Sequence, residues 1–353
     1  MDVSCSKCGA LHWKCEQLST STIARPLFGA CCLSGKVELS AIRKPPRELL
    51  ELYNGTSHES KHFLDNIRSY NSAFGLASLG VTVDKTVQDG HGPYVFKIQG
   101  ALYHHVGSLL PKPATNPVYA QLYFYSSGEA TNFRMQNNQG RGLRPTVMGI
   151  LDQVLQQNHA YVQVFRTAYE RLKEQREQHP NVQSEFFAVI QCEKGTDARR
   201  YNAPTADEVS VILPGDGSIA PDYRDLVLQY KDGPLKWIYE TNASYQPSVY
   251  VLLFPYGENG WHTNMALNLP VTGADEEDPD DDGSGGGSRT RTKISILDYY
   301  AYRLHQCADD SDHIFQARAL LQQWIVDGWA ATDQRNLNWL KNNQKKLRID
   351  LYK

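Results

Sequence analysis

Five of the seven cysteines lie in the first 32 residues of this 353-residue chain, and their spacing is typical of a metal site. Cys5 and Cys8 form a Cys-x2-Cys knuckle, in which two thiolates on one tight turn supply half of a tetrahedral zinc site. Gly9 follows the knuckle and suits such a turn. The sequence therefore predicts a structural zinc ion with the ligands Cys5, Cys8, Cys31 and Cys32.

The second half of the predicted zinc site is less regular than the first. Cys31 and Cys32 are adjacent, so both can bind one ion only in a strained turn. His12 or Cys15 could replace one of them, which leaves the fourth ligand open. The alternative is that Cys31 and Cys32 are buried thiols of an apolar core.

Two other pairs of residues could do chemistry, but their spacing argues against it. His104 and His105 are adjacent, so on a strand their side chains point to opposite faces and do not share a metal. Tyr299 and Tyr300 are neighbours on a predicted helix and do not face together, so packing is the better interpretation. We assign no catalytic residue.

The end of the chain is basic and carries an aromatic residue. From position 335 onwards, Asp350 is the only acidic residue. Such a face can contact phosphates while an aromatic ring stacks on a base. The alternative is a solvated helix surface. The predicted DNA contacts are Arg335, Trp339, Lys341, Lys345, Lys346 and Arg348.

Composition limits the class of protein. The hydrophobic fraction of 41% is enough for a core, and the length suits one large or two to three modest domains. Seven acidic residues at 275–282 dominate the net charge of -3, and without them it would be +4. No apolar stretch approaches the ~20 residues that span a bilayer, and the first 30 residues do not form a signal peptide. We expect an intracellular protein with reduced thiols and no membrane partner.

The elements that must position these residues follow from hydrophobic periodicity. Helices are predicted from Arg47, over 60–77 and over 146–178, and again at 294–305 and 314–341. Strands are predicted at 94–99, 118–125, 185–192, 208–213, 226–230 and 248–254. This order predicts an α+β fold with a small N-terminal zinc-binding module, a mainly antiparallel sheet with helices and a C-terminal helical hairpin.

The same pattern divides the chain into four parts. Residues 1–40 form the zinc-binding module, and residues 47–270 form the α+β domain. Residues 271–293 are an acidic and Gly-Ser-rich linker with no apolar anchor, which we expect to be disordered. Residues 294–353 form the C-terminal helical part.

Several motifs occur in a consistent order over nearly the whole chain, apart from the linker and the 126–145 loop. The principal ones are 5–13 (CSKCGALHW), 28–37 (FGACCLSGKV), 119–123 (YAQLY), 254–262 (FPYGENGWH), 299–304 (YYAYRL), 321–327 (LQQWIVD) and 343–352 (NQKKLRIDLY). Together these motifs resemble those of Helitron transposases, the Rep-helicase proteins of rolling-circle transposons.

The resemblance implies a nuclear, transposon-derived protein with zinc and DNA as partners. Residues 294–353 would be the start of the Helitron helicase-like domain, truncated here. The nuclease His pair, its Tyr nucleophile and the helicase P-loop would all follow Lys353, so the nuclease-helicase domains of the parent would be missing. We therefore expect a DNA-binding scaffold fragment that is not an enzyme by itself. The alternatives are an interaction or structural remnant without DNA affinity, and a metal-dependent hydrolase.

Overall fold

The computed structural model describes residues 1–79, 82–83, 98–99, 104–106, 116–163, 166, 186–191, 211–214, 225–227, 236–238, 243–272, 290–307 and 311–342. These residues form helices and small antiparallel sheets, which confirms the mixed class and the strand orientation predicted above. The α-helices are Arg47–Tyr53, His58–Asp65, Ile67–Phe74, Ser127–Asn137, Pro145–Asn158, Tyr245–Val249, Ile296–Arg303, His313–Gln316 and Arg318–Asn342, which we call the C-terminal helix.

Strand pairing is antiparallel throughout the described ranges, and the sheets have two or three strands. Two sheets have three strands each: Phe186–Gln191 lies between Val211–Pro214 and Asp225–Val227, and His104–Val106 lies between Ser78–Leu79 and Lys236–Ile238. The two-stranded pairs are Val3–Ser4 with Leu11–His12, Thr82–Val83 with Ile98–Gln99, and Ala266–Thr272 with Thr290–Lys293.

The last of these pairs lies at the two ends of the predicted linker. Val271 pairs with Arg291, and Thr272 pairs with Thr290. The residues between these strands, 273–289, lie outside the described part of the chain. The disorder expected for them stays a prediction.

Local signals set where several helices begin. The hydroxyl of Ser57 accepts a hydrogen bond from Ser60 N at 3.0 Å and caps helix His58–Asp65. Ser295 caps helix Ile296–Arg303 through a capping box. Because these signals are local, the sequence indicates the position of such helices well.

The predicted strand at 248–254 is wrong. The structure has helix Tyr245–Val249 there, followed by turns as far as Tyr256. Every residue of 244–254, which we call the buried segment, is buried. A short apolar run buried on all sides has no alternating pattern, so periodicity cannot separate a strand from a buried helix.

The predicted strand at 118–125 is also wrong. Tyr119–Phe124 is a 3-10 helix, and Tyr119 has a positive φ of 51°. Its aromatic composition favours strands, but the side chain of Tyr123 is buried and donates a hydrogen bond to Phe74 O at 2.6 Å. This tertiary contact outweighs the local preference.

The predicted long helix over 146–178 is interrupted at His159, and residues 160–163 and 166 are helical again. Helix Pro145–Asn158 ends at His159, whose φ of -82° and ψ of 113° are extended. Most of the remaining predicted range lies outside the described residues.

One continuous core joins the N-terminal, central and C-terminal parts of the described chain. It extends from Cys5 and Phe28, through helices such as Ile67–Phe74 and the buried segment, to Trp324 and Ala331. The domain boundaries drawn from the sequence stay a prediction, but the three parts pack against each other. No helix among the described residues is both long and apolar enough to cross a membrane.

The C-terminal helix packs closely against helix Ile296–Arg303 at a glycine. A Cβ on Gly328 would lie 2.4 Å from the ring of Tyr300. We expect Gly328→Ala to destabilise the protein by about 1–3 kcal/mol because the ring must move. Gly149→Ala is the matched control in another helix, where nothing lies within 4 Å of the new Cβ. It should stabilise by about 0.5–1 kcal/mol. Urea unfolding of both variants measures the two changes, and equal effects would contradict this packing.

Two buried histidines should make stability depend on pH. Burial lowers the pKa of His159 and of His313 to about 4, whereas an unfolded histidine titrates near 6.5. Between these values the unfolded state binds more protons, so stability falls as the pH falls below about 6.5. The expected loss is about 1.4 kcal/mol per pH unit for each histidine.

Urea unfolding at pH 7.5 and pH 5.0 tests this pH dependence. His159→Gln and His313→Gln keep a donor near the position of Nε2 but do not titrate. Each should therefore reduce the loss of stability between pH 7.5 and pH 5.0. His58→Gln, at an exposed position, is the control for a histidine substitution outside the core. A pH dependence that neither buried-site variant reduces would show that other groups cause it.

Candidate functional site

The N-terminal knuckle is built by a short hairpin. Strands Val3–Ser4 and Leu11–His12 pair, and Cys5 N donates to Ala10 O at 2.8 Å. Gly9 N donates to Cys5 O at 2.9 Å, and Gly9 has a positive φ of 74° that favours glycine. This turn places the Cys8 side chain beside that of Cys5.

The second pair of cysteines lies in a strained turn, as its adjacency predicts. Leu33 and Ser34 have positive φ values of 46° and 56°, which side-chain-bearing residues rarely adopt. The turn brings Gly35 N to 3.2 Å from Cys32 Sγ, to which it donates a hydrogen bond. A buried core residue, Phe28, anchors the chain just before the turn.

The four cysteines predicted as ligands converge. Their sulfur atoms all lie within 4.8 Å of one another, with Cys5 Sγ and Cys32 Sγ 3.9 Å apart and Cys31 Sγ and Cys32 Sγ 3.7 Å apart. Zinc–sulfur bonds of about 2.3 Å in a tetrahedron place sulfurs about 3.8 Å apart. The cluster of Cys5, Cys8, Cys31 and Cys32, which we call the four-cysteine cluster, could therefore hold a metal ion.

The cluster is closed towards solvent on most sides. Cys5, Cys31 and Cys32 are buried, whereas Cys8 is half-buried. Hydrogen bonds with Cys31 and Cys32 lower the pKa of Cys5 to about 6. Hydrogen bonds with Cys32 and Cys5, together with burial, raise the pKa of Cys31. Hydrogen bonds among sulfurs this close stabilise negative charge on the cluster, and a bound cation would neutralise that charge.

The two substitute ligands considered from the sequence lie apart from this group. Cys15 is exposed. His12 is buried, stacks on Phe28 with ring centroids 3.9 Å apart, and its Nδ1 lies 2.9 Å from Glu16 Oε2. Neither residue is among the close ligand atoms found in the described residues. Their roles as substitutes stay predictions.

A further thiol near the cluster could not be foreseen. A hydrogen bond with Cys307 is the largest cause that lowers the pKa of Cys8. Cys307 is almost 300 residues further along the chain, and its spacing gives no sign of the contact. Only the fold places it there.

The structure describes only three of the six predicted DNA contacts. Arg335, Trp339 and Lys341 lie on the C-terminal helix, whereas Lys345, Lys346 and Arg348 lie outside the described residues. The Arg335 guanidinium lies over the ring of Trp261, 4.6 Å from its centroid. Arg335 is therefore half-buried against the fold, and Trp339 is half-buried as well.

The Tyr299–Tyr300 pair is part of the packing, as the sequence indicates. Both rings are buried. Tyr299 donates to Gln246 Oε1 at 3.0 Å, and Gln246 Nε2 donates to the Tyr300 hydroxyl at 3.2 Å. Burial raises the pKa of Tyr300 well above its ordinary value, which disfavours the nucleophilic phenolate.

Comparison with known families gives one match. Residues 299–353 match the family model described as the Helitron helicase-like domain at the N-terminus. This supports the resemblance to Helitron proteins drawn from the sequence motifs. No curated protein matches the chain.

The four-cysteine cluster predicts tight metal binding that depends on each sulfur. We expect the wild type to bind one Zn²⁺, and Cys5→Ser to weaken binding by at least about 100-fold, because a lost ligand should cost more than a lost supporting contact. Cys15→Ser, at an exposed cysteine outside the cluster, is the control and should bind as the wild type. Competition with a chromogenic chelator measures the affinity. Equal affinities for the two variants would contradict the site.

Proposed function

We propose that this chain, which carries the N-terminal region of a Helitron helicase at residues 299–353, is a zinc-stabilised DNA-binding module of a transposon-derived nuclear protein. The family match carries the proposal, because proteins that move transposons must handle DNA. The module would bind single-stranded or transposon-end DNA for nuclease and helicase domains.

The chemistry of the four-cysteine cluster favours zinc. Soft thiolate ligands in a tetrahedral set select zinc or iron–sulfur clusters over hard cations such as Mg²⁺. The sulfur separations of 3.7 and 3.9 Å suit a single Zn²⁺. With Cys5, Cys8, Cys31 and Cys32 as ligands, the ion would have no open position for substrate.

That closed ligand set supports a structural rather than a catalytic metal. Catalytic zinc keeps a position for water or substrate. A structural ion instead contributes its binding energy to folding. It would do so here for a Cys-rich segment that has few apolar residues of its own.

The basic end of the chain supports DNA contact. Lys341, Lys345, Lys346 and Arg348 lie within eight positions, and Lys341 is at the end of the C-terminal helix. Trp339 would offer a ring for base stacking next to these charges. Because Arg335 packs on Trp261, we expect it to contribute less to phosphate contact than Lys341, Lys345, Lys346 and Arg348.

A second candidate function is protein interaction without DNA affinity. The C-terminal helix exposes Trp329 and Leu337, which are 59% and 61% exposed. Large apolar side chains on a surface are also found at protein interfaces. Only the first function predicts DNA binding, and that binding should weaken as the salt concentration rises.

A DNA titration distinguishes these functions. We expect labelled single- or double-stranded DNA to bind, with affinity that falls steeply as salt rises because counterions are released. Lys345→Glu/Lys346→Glu should weaken binding about tenfold or more at low salt and reduce the salt slope by about 1.5, the share of two phosphate contacts. Fluorescence anisotropy over a series of salt concentrations measures both quantities.

The matched control carries the same change in charge elsewhere. Lys44→Glu/Lys61→Glu alters two exposed lysines that are far from the basic end in the sequence. This variant should change DNA binding much less. Equal effects of the two double variants would show that only overall charge matters. A folded, zinc-loaded protein that binds no DNA at low salt would favour the interaction module instead.

A further inference from the structure

The loop at residues 138–144, which we call the arginine loop, carries two arginines without a close carboxylate partner. Arg141 Nη1 donates a hydrogen bond to Asn138 Oδ1 at 2.9 Å, and no carboxylate of the described residues forms an ion pair with Arg141. Arg144 Nη1 lies 3.9 Å from Glu59 Oε1, near the outer limit of an ion pair. The positive charge of this loop is therefore only weakly compensated.

Arginines on two other elements are compensated more closely. Arg47 Nε lies 2.8 Å from Glu51 Oε1, and Arg291 Nη1 lies 3.0 Å from Asp298 Oδ2. A guanidinium stays charged at neutral pH and carries five N–H donors. The two arginines of the loop thus keep charge and donors that a bound anion could use.

Contacts at both ends hold the arginine loop in one conformation. Asn138 Nδ2 donates to Arg134 O at 2.8 Å, and Arg144 N donates to the hydroxyl oxygen of Tyr70 at 2.9 Å. Between these contacts, Leu143 is buried in the core. A surface that is ordered before binding loses less conformational entropy when a partner binds.

Two glycines leave space for a ligand over the arginine loop. Gly140 and Gly142 have positive φ values of 83° and 66°, a conformation that favours glycine. A Cβ at either position would meet nothing within 4 Å. A group as large as a phosphate can therefore approach the loop backbone without displacing protein atoms.

Two histidines lie beside the arginine loop. Arg144 Nη1 donates a hydrogen bond to His58 Nδ1 at 2.7 Å. Because the Tyr70 hydroxyl accepts from Arg144 N, it donates its own hydrogen to His62 Nδ1 at 3.1 Å, and His62 carries a hydrogen on Nε2. Burial, and then the charge of Arg144, lower the pKa of His62. An anion at this surface would meet the charge of the loop and the N–H of His62.

We propose that the arginine loop, with His58 and His62 beside it, contacts phosphates of the DNA backbone at a second surface, separate from the basic end of the chain. The proposal rests on the proposed function, which supplies DNA as the partner. The planar fork of a guanidinium matches the oxygens of a phosphate. A backbone of regularly spaced phosphates can meet both arginines, which are three positions apart.

Removal of the two charges tests the proposal. Arg141→Gln/Arg144→Gln should weaken DNA binding about tenfold at low salt and reduce the salt slope by about 1.5, the share of two phosphate contacts. Arg25→Gln/Arg47→Gln is the matched control, because it removes two exposed arginines elsewhere. It should leave the salt slope as in the wild type. Fluorescence anisotropy with labelled DNA over a series of salt concentrations measures both quantities.

A check of folding accompanies the titration. Arg144 anchors the loop through its backbone N, so replacing its side chain keeps that contact. Far-UV circular dichroism and thermal unfolding of each variant show whether it is folded as the wild type is. A loss of affinity in a folded variant then reports on DNA contact.

The outcomes separate this surface from the proposed function. If Arg141→Gln/Arg144→Gln binds DNA with the affinity and salt slope of the wild type, the second surface is overturned. A loss of affinity in Lys345→Glu/Lys346→Glu would then leave the proposed function standing. If the control weakens binding equally, only overall charge matters, which also overturns the second surface. If the wild type binds no DNA at low salt, both proposals fail.

Discussion

The fold depends on the burial of a segment that has no sheet to satisfy its backbone. Buried carbonyl groups must find hydrogen-bond donors. In the buried segment 244–254 some donors lie within the segment, such as Tyr250 N for Gln246 O, but five carbonyls accept from surrounding elements. Since a carbonyl oxygen can only accept, the two histidines that serve it carry their hydrogens on Nε2. Tyr53 donates to Leu252 O, Asn71 to Val249 O, His159 to Pro247 O, His313 to Leu253 O, and the backbone N of Leu76 to Ser248 O. These donors lie on four separate parts of the chain, at residues 53, 71–76, 159 and 313, so satisfying this one segment fixes their mutual arrangement.

The same segment connects the middle of the chain to its end. Tyr245 donates to Asp327 Oδ1 at 2.7 Å, and the ring of Phe254 packs edge-on against Trp324. Asp327 is buried, and a buried carboxylate requires such donors because its charge is costly away from water. The C-terminal helix is therefore held by polar contacts with the centre as well as by apolar packing. Residues 299–307 and 311–342, the described part of the region that matches the Helitron family, are an integral part of this fold.

Local and chemical features could be predicted from the sequence, whereas tertiary ones could not. The Cys-x2-Cys spacing, with Cys31 and Cys32, predicted the four-cysteine cluster because thiol chemistry and turn geometry are local constraints. Helix Ile296–Arg303 was predicted, within 294–305, from its hydrophobic periodicity, which is also a local feature. The apolar run at 248–254 was assigned wrongly because full burial removes the alternation that marks a strand. The hydrogen bond from Leu11 N to Gln306 O and the packing of Arg335 on Trp261 arise only when distant parts of the chain meet.

Contacts between the N-terminal region and helix Ile296–Arg303 tie the four-cysteine cluster to the start of the family-matched region. Arg303 donates to Ser40 O at 2.8 Å, and Tyr302 donates to Leu39 O at 3.5 Å. Both carbonyls follow the turn that carries Cys31 and Cys32, while Gln306 O binds the hairpin that carries Cys5 and Cys8. The two halves of the cluster are thus each tied to residues 302–306. Metal binding stabilises the parts of the chain that its ligands hold in place. Binding of an ion by the cluster should therefore also stabilise helix Ile296–Arg303. The sheet of Phe186–Gln191, Val211–Pro214 and Asp225–Val227 contributes no residue to the cluster.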